Sequence, residues 1–148
     1  MRGMMLLSAC ALLASCGEPD AVQESAANTL EPGKILYPDI EANQLFGASC
    51  AFVPDGGGIG AIALAMEDAG YMKLDGQIVR FAEADEAQQL GADSMAFVSD
   101  SASFTLTLDR SSERARADTG TEFNGELLVR DTTGASMYQA RGLIQCGA

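Results

Sequence analysis

Asp75-Gly76 lies between two short runs in which apolar and polar residues alternate, Tyr71–Leu74 and Gln77–Phe81. Alternation with a period of two predicts β-strands that have one buried and one exposed face. An Asp-Gly pair between two such strands is typical of a type I′ hairpin turn, because both central residues of that turn need positive φ. In the predicted register, Met72 faces Val79. One face then carries Met72, Leu74, Val79 and Phe81, and the other carries Tyr71, Lys73, Ile78 and Arg80.

A second hairpin is predicted close to the C-terminus. It joins Phe123–Arg130 to Ala135–Cys146, and Gly134 takes the left-handed position of the turn between them. Residues 104–108 also alternate as a strand. Residues 59–69 fit either a strand or a helical stripe, and we favour the strand because the run is short and leads directly into the first hairpin. Residues 83–90 fit either two helical turns or a solvated connection between strands.

These short strands, the glycine-rich turns between them and the lack of a long helical pattern determine the predicted fold class. We expect an all-β domain, either an antiparallel sandwich or a small barrel, of about seven or eight strands. The run Asp55–Gly58 is interpreted as a turn rather than as a nucleotide-binding loop, because strand-like segments follow it.

The N-terminus predicts export from the cytoplasm. Arg2 precedes an apolar segment of ten residues, Met4–Leu13, which is too short to span a bilayer. The segment closes with Leu13-Ala14-Ser15-Cys16, which resembles the lipobox of bacterial lipoproteins. That resemblance implies that residues 1–15 are a signal peptide and that Cys16 is lipidated, so that its acyl chains anchor the protein in a membrane.

The same resemblance implies a location. Gly17, rather than Asp, follows the lipidated cysteine, and by the sorting habit of enteric lipoproteins this indicates the periplasmic face of the outer membrane. The chain as a whole resembles small alphaproteobacterial lipoproteins of unknown function.

Composition divides the exported chain into two parts. Residues 16–33 are rich in Ala, Glu, Pro, Ser and Asn, and we expect them to form a flexible tether after the lipidated cysteine. Residues 34–148 are long enough for one β-rich domain. Without residues 1–15 the net charge is 8 − 21 = −13, which argues against nucleic acid and against anionic membrane surfaces as partners.

The four cysteines have different expected fates. Cys10 leaves with the signal peptide and Cys16 is lipidated, which leaves Cys50 and Cys146 in a compartment where disulfides persist. We expect these two to be bridged; the alternative is a pair of free buried thiols. Each is predicted to lie on the apolar face of its own strand, Cys50 with Phe46 and Phe52, and Cys146 with Tyr138 and Ile144. The bridge closes a loop of 146 − 50 + 1 = 97 residues, to which the chain-entropy model assigns about 4.7 kcal/mol.

Histidine is absent from the sequence. Ser-His-Asp and Cys-His catalysis and the usual zinc and copper sites are therefore excluded. Lys34 and Lys73 are the two lysines, and neither follows a serine at the spacing of a Ser-Lys dyad. The sequence does not single out a pair among its 21 acidic residues. We expect a protein that is not an enzyme and has no cofactor and no metal.

Three arginines lie close together in an otherwise acidic chain: Arg110, Arg114 and Arg116. One interpretation is an interaction loop that meets an anionic partner. The other is a long hairpin loop that mixed charges keep soluble.

Two functions follow from these observations. The first is a non-catalytic envelope module that binds another envelope protein or a wall component. The alternative is an inhibitor of a hydrolase such as lysozyme, because small disulfide-closed β-barrel lipoproteins that inhibit c-type lysozyme are similar in size class, anchoring and cysteine placement. That resemblance carries over no inhibitory residue. A third hypothesis, a ligand cavity inside a barrel, predicts a large apolar pocket instead of a filled core.

Overall fold

The computed structural model of the protein describes residues 28–85 and 91–147. Within these residues, eight antiparallel strands form a closed barrel in which each strand pairs with the next and the last pairs with the first. In chain order the elements are helix α1 (Tyr37–Asn43) and strands β1 (Ser49–Pro54), β2 (Ala63–Met66), β3 (Ala69–Leu74), β4 (Gln77–Glu83), β5 (Ser94–Val98), β6 (Ala102–Ala115), β7 (Thr121–Asp131) and β8 (Ser136–Gly147). The predicted all-β class is confirmed, and of the two architectures it is the barrel that forms.

The strand directions distinguish the two ends of the barrel. Ser49 pairs with Gly147 and Pro54 with Gly142, so β1 runs toward the end at which β8 begins. We call this the proximal end; it holds the β1–β2 loop and the β3–β4, β5–β6 and β7–β8 turns. The opposite, distal end holds the β6–β7 turn and the end of β8.

Both predicted hairpins are present. Met72 pairs with Val79 in the β3–β4 hairpin, and its turn residues Asp75 and Gly76 have φ of 49° and 78°, as a type I′ turn requires. In the β7–β8 hairpin, Gly134 has the predicted positive φ, 87°. Residues 59–69, which fitted either a strand or a helix, contain β2 and the start of β3, so the preferred prediction of a strand is confirmed. Residues 86–90, which make up most of the other ambiguous segment, lie outside the described residues.

The barrel interior is filled by side chains. Phe104 packs against Phe81 and Phe97, with ring centroids 5.0 Å apart in both pairs. Gly70 of β3 lies against these rings, and a side chain at this position would collide with Phe97 and Phe104. The buried side chains of this interior are Phe52, Ile62, Ala63, Ala65, Met72, Phe81, Phe97, Ala102, Phe104, Leu106, Leu108, Phe123, Leu127, Val129 and Ile144.

A disulfide ties the first strand to the last near the distal end. Cys50 of β1 lies directly opposite Cys146 of β8, and the two are bonded with their Cα atoms 4.0 Å apart. Both cysteines pack against the barrel interior. The predicted bridge is therefore present, and it closes the sheet at the one strand pair whose members are far apart in sequence.

The chain meets the barrel before Lys34, the residue at which the domain was predicted to begin. The backbone N–H groups of Thr29 and Leu30 donate to the carbonyl of Met137 on β8, at 2.9 and 3.1 Å. Further along, the N–H of Gly33 donates to the carbonyl of Lys73 on β3 at 2.8 Å. Residues 28–33, which we call the cap segment, therefore cross the proximal end from β8 to β3, and Leu30 packs against the barrel interior.

Helix α1 was not predicted from the sequence. The helix and its flanks cover the outer face of β2–β4, where Ile35, Leu45 and Leu64 are buried together. Phe46 was predicted to share a strand face with Cys50, but β1 begins only at Ser49. The Phe46 side chain is therefore outside the sheet and exposed, and this part of the prediction is wrong.

Candidate functional site

The predicted lipidation site, Cys16, lies outside the described residues. None of the helices among residues 28–85 and 91–147 has the length and apolar character needed to cross a membrane.

The three arginines singled out in the sequence lie at the distal end. Arg110 and Arg114 belong to β6, which continues to Ala115 instead of ending in a loop, and Arg116 begins the short turn to β7. The pairing of β6 with β7 shifts between Asp109 and Arg114, where the strand bulges. A β-bulge bends a strand and re-aims its side chains. The expected long loop is therefore a strand extension with an irregular step.

Each of these arginines has an acidic partner. Arg110 Nε donates to Asp93 Oδ1 at 2.9 Å, and its guanidinium lies 5.6 Å from the centroid of the Phe123 ring. Arg114 donates to Glu122 Oε1 at 2.9 Å, and Arg116 donates to both oxygens of Asp118, at 3.1 and 2.8 Å. Ion pairs of this kind cancel much of the local positive charge.

The acidic partners respond to this arrangement. Hydrogen bonds from Gln145, the larger cause, and from Arg114 lower the pKa of Glu122. The hydrogen bonds from Arg116 likewise lower the pKa of Asp118. Both carboxylates therefore stay ionised and paired over a wider pH range than free ones would. The geometry favours the interpretation of a mixed-charge hairpin over that of a positive surface.

A different set of exposed residues lies at the proximal end, and the sequence analysis missed it. The side chains of Ile59, Tyr37 and Leu36 are 91%, 64% and 47% exposed. Lys34 Cβ and Leu36 Cδ2 both lie close to Gly60, 3.2 and 3.1 Å from the position that a side chain there would take. We call Lys34, Leu36, Tyr37 and Ile59 the proximal patch.

The backbone explains why Ile59 is exposed. Gly58 and Gly60 on either side of it have φ of 68° and 106°, conformations that favour glycine. The β1–β2 loop therefore turns outward around a single apolar side chain. The signal in the sequence was the isoleucine itself, a large apolar residue with a glycine on each side.

An ion pair fixes the other half of the proximal patch. Lys73 Nζ of β3 donates to Asp39 Oδ1 of α1 at 2.8 Å, and the backbone N–H of Leu36 donates to Asp39 Oδ2 at 2.9 Å. The hydrogen bond from Lys73 is the largest cause that lowers the pKa of Asp39. Leu36 and Tyr37 are thus held at the first turn of α1 by contacts with the barrel wall.

An open cleft of about 510 Å³ lies on the outer face of β6–β8. Its charged lining is Asp55, Asp109, Glu126 and Arg141. Residues 28–85 and 91–147 contain no group of three or more Cys, Asp or Glu side chains arranged to hold a metal ion. The cleft is an open surface depression whose charged groups are three carboxylates and one guanidinium.

The hypothesis of a ligand cavity inside the barrel does not fit the interior. Phe52, Phe81, Phe104 and Met72 are among the largest fully buried side chains and occupy the space that such a ligand would need. Tyr138 also faces inward, and its burial raises the pKa of the phenol. The barrel interior is therefore a packed core.

Comparison with protein-family models, with curated proteins and with solved structures finds no match for this chain.

Proposed function

We propose that the protein is a lipid-anchored lipoprotein of the bacterial cell envelope whose barrel acts as a non-catalytic binding module. The observation that carries the proposal is the combination of Leu13-Ala14-Ser15-Cys16 at the N-terminus with a barrel that the Cys50–Cys146 bridge closes. The first implies export and acylation, and the second is a structural feature that persists outside the cytoplasm.

The filled interior supports binding at the outer surface. A barrel whose centre is occupied by phenylalanine and aliphatic side chains does not carry a small molecule inside. The partner in this proposal is another envelope protein or a wall component. The net charge of −13 after removal of the signal peptide (8 − 21) disfavours polyanionic partners.

An inhibitor of a hydrolase such as lysozyme is the second candidate. The observation in its favour is architectural: the barrel is closed, and a disulfide joins its first and last strands, as expected for a barrel lipoprotein of the lysozyme-inhibitor type. No residue of this chain is assigned an inhibitory role.

The anchor is tested by replacing the lipidated cysteine. We expect Cys16→Ser to abolish acylation and membrane fractionation, while Cys10→Ser, inside the same signal peptide, leaves both intact. Mass spectrometry of the native N-terminus reads the modification directly. A native protein with an intact, unmodified N-terminus would contradict the proposal.

The binding role is tested by crosslinking in living cells and by an enzyme assay. Reproducible crosslinks from barrel surface positions to one envelope protein or to wall material are the expected result. In parallel, the domain beginning at Gly17 is titrated against lysozyme. Inhibition near stoichiometry would replace the general binding module by the inhibitor, and no inhibition at micromolar concentration would remove the second candidate.

A further inference from the structure

We propose that the proximal patch rests on the surface of the bilayer that holds the acyl chains of Cys16, so that the barrel stands with its proximal end toward the membrane. This inference rests on the lipid anchor proposed above. It adds an orientation and a lipid-contacting surface to that anchor.

The residues of the patch have the chemistry of a membrane interface. Ile59 is the most exposed large apolar side chain among the described residues, at 91%, and it stands on a glycine-rich loop that leaves it without neighbours to pack on. Tyr37 combines an apolar ring with a polar hydroxyl, and Lys34 combines an apolar stem with a charged end. Such side chains place their apolar part in lipid and their polar end in the headgroup layer.

The path of the chain brings the same end of the barrel to the anchor. Asn28 lies beside β8, where its Oδ1 accepts the backbone N–H of Gln139 at 3.0 Å. Cys16 is only 28 − 16 = 12 residue steps from Asn28, and these steps span at most about 43 Å when fully extended. The cap segment then crosses the proximal end. The barrel is therefore attached to its anchor through the end that carries the patch.

The opposite orientation needs a stretched chain. To bring the distal end to the membrane, the chain before Asn28 would have to run beside β8 past the 147 − 139 = 8 residue steps from Gln139 to Gly147. That distance is about 27 Å at the rise of a β-strand. Stretching the chain in this way costs conformational entropy. Contact through the proximal end does not require it.

Charge selects the kind of lipid surface. Lys34 takes part in no ion pair with another described residue, so its ammonium is available to a phosphate headgroup. The proximal end also carries several carboxylates, those of Glu31, Asp55, Asp75, Asp100 and Asp131. A zwitterionic surface therefore suits this end better than a strongly anionic one. The attachment raises the effective concentration of the patch at the membrane to the order of millimolar, so a weak contact is sufficient.

The test uses the absence of tryptophan from the sequence. Ile59→Trp places a single fluorophore in the patch, and Ala117→Trp places one in the β6–β7 turn at the distal end; both native side chains are uncharged and exposed. Each mature variant, lipidated at Cys16, is reconstituted in phosphatidylcholine vesicles, with and without brominated acyl chains. We expect a blue shift and several-fold stronger quenching for Ile59→Trp than for Ala117→Trp.

Three results would overturn the inference. The first is equal quenching of the two variants. The second is stronger quenching of Ala117→Trp, which would invert the orientation. The third is a blue shift of Ile59→Trp in the unlipidated domain without vesicles that grows with protein concentration, which would assign the patch to a second copy of the chain.

Mass spectrometry of the same samples separates this failure from a failure of the anchor. An acylated Cys16 together with any of those three results rejects the orientation alone. A protein that the cell does not acylate at Cys16 rejects the proposed function, and with it the orientation.

Discussion

The two ends of the barrel are closed in different ways. The distal end has a disulfide and ion-paired arginines, whereas the cap segment covers the proximal end through backbone hydrogen bonds and the side chain of one leucine. At the distal end, Cys50 and Cys146 are bonded, and Arg114 and Arg116 form ion pairs with carboxylates close by. The proximal end instead leaves Tyr37 and Ile59 largely exposed.

This difference separates stability from surface function. A bridge that closes a long loop restricts the unfolded chain whatever the barrel binds, and surface ion pairs add little to stability. Exposed apolar side chains do not stabilise the isolated domain. Phe46 is one such side chain and precedes the distal start of β1, whereas three of them, Leu36, Tyr37 and Ile59, belong to the proximal patch. That group of three has to be explained by something outside the domain. The distal end is therefore the stabilised end and the proximal end is the candidate for contact.

Removing the bridge is expected to have the largest effect on stability. We expect the Cys50→Ala, Cys146→Ala double variant to lose about 4 kcal/mol of unfolding free energy, since its unfolded chain is no longer cross-linked and regains the entropy of a loop this long. Urea unfolding of both proteins measures the loss. Ser49→Ala, next to the bridge on β1, is the control and should change little. A double variant as stable as this control would show that the distal closure does not depend on the bond.

The sequence could predict the features of the barrel that come from local patterns. The Asp75-Gly76 turn and its register follow from residues adjacent in the chain, and the phases of Cys50 and Cys146 in their strands follow from period-two alternation. The sequence did not distinguish a sandwich from a barrel, because closure of the sheet requires β1 to pair with β8, and the residues in that contact are far apart in sequence.

The cap segment and the proximal patch could not be predicted in the same way. Leu30 is one apolar residue in a polar stretch, and its contact with the barrel interior depends on hydrogen bonds to Met137, more than a hundred residues away. Helix α1 did carry a local signal, namely Pro38 in its first turn and the capping residue Asp39. Because the helix is short, this signal is weak beside the period-two pattern of the rest of the domain.

Truncating the leucine of the cap segment is expected to have an intermediate effect. Leu30→Ala should lower the unfolding free energy by about 1 to 2 kcal/mol, because the side chain is only partly buried against the core and a full large-to-small loss costs more. Exposed Glu31 supplies the control, Glu31→Ala.

Hydrogen exchange locates that effect. The amides of Thr29 and Leu30, which donate to Met137, should exchange faster in Leu30→Ala than in Glu31→Ala. Equal exchange in the two variants would mean that the leucine does not hold the cap segment on the barrel. The proposed non-covalent closure of the proximal end by this leucine would then be wrong.

The smallest effect is expected from the arginine hairpin. Arg114→Gln removes the ion pair with Glu122, but Gln145 still donates to that carboxylate at 2.8 Å, and it is the larger cause of the lowered pKa of Glu122. We therefore expect a change in unfolding free energy of no more than about 0.5 kcal/mol at neutral pH. The pKa of Glu122 should rise only part of the way toward its ordinary value.

The pH dependence of this small term has a definite sign. A carboxylate whose pKa is lower in the folded than in the unfolded state stabilises the fold above its unfolded pKa, and that contribution is lost as the pH falls through the folded pKa. Arg114→Gln should therefore weaken the protein less in acid, where Glu122 is protonated in both variants, than at neutral pH. NMR titration of the Glu122 carboxyl measures the change in its pKa. Urea unfolding of both proteins at neutral pH and in acid measures the change in unfolding free energy. A loss at neutral pH as large as that from removing the disulfide would make the arginine pairs, instead of the bridge, the main stabilising contact of the distal end.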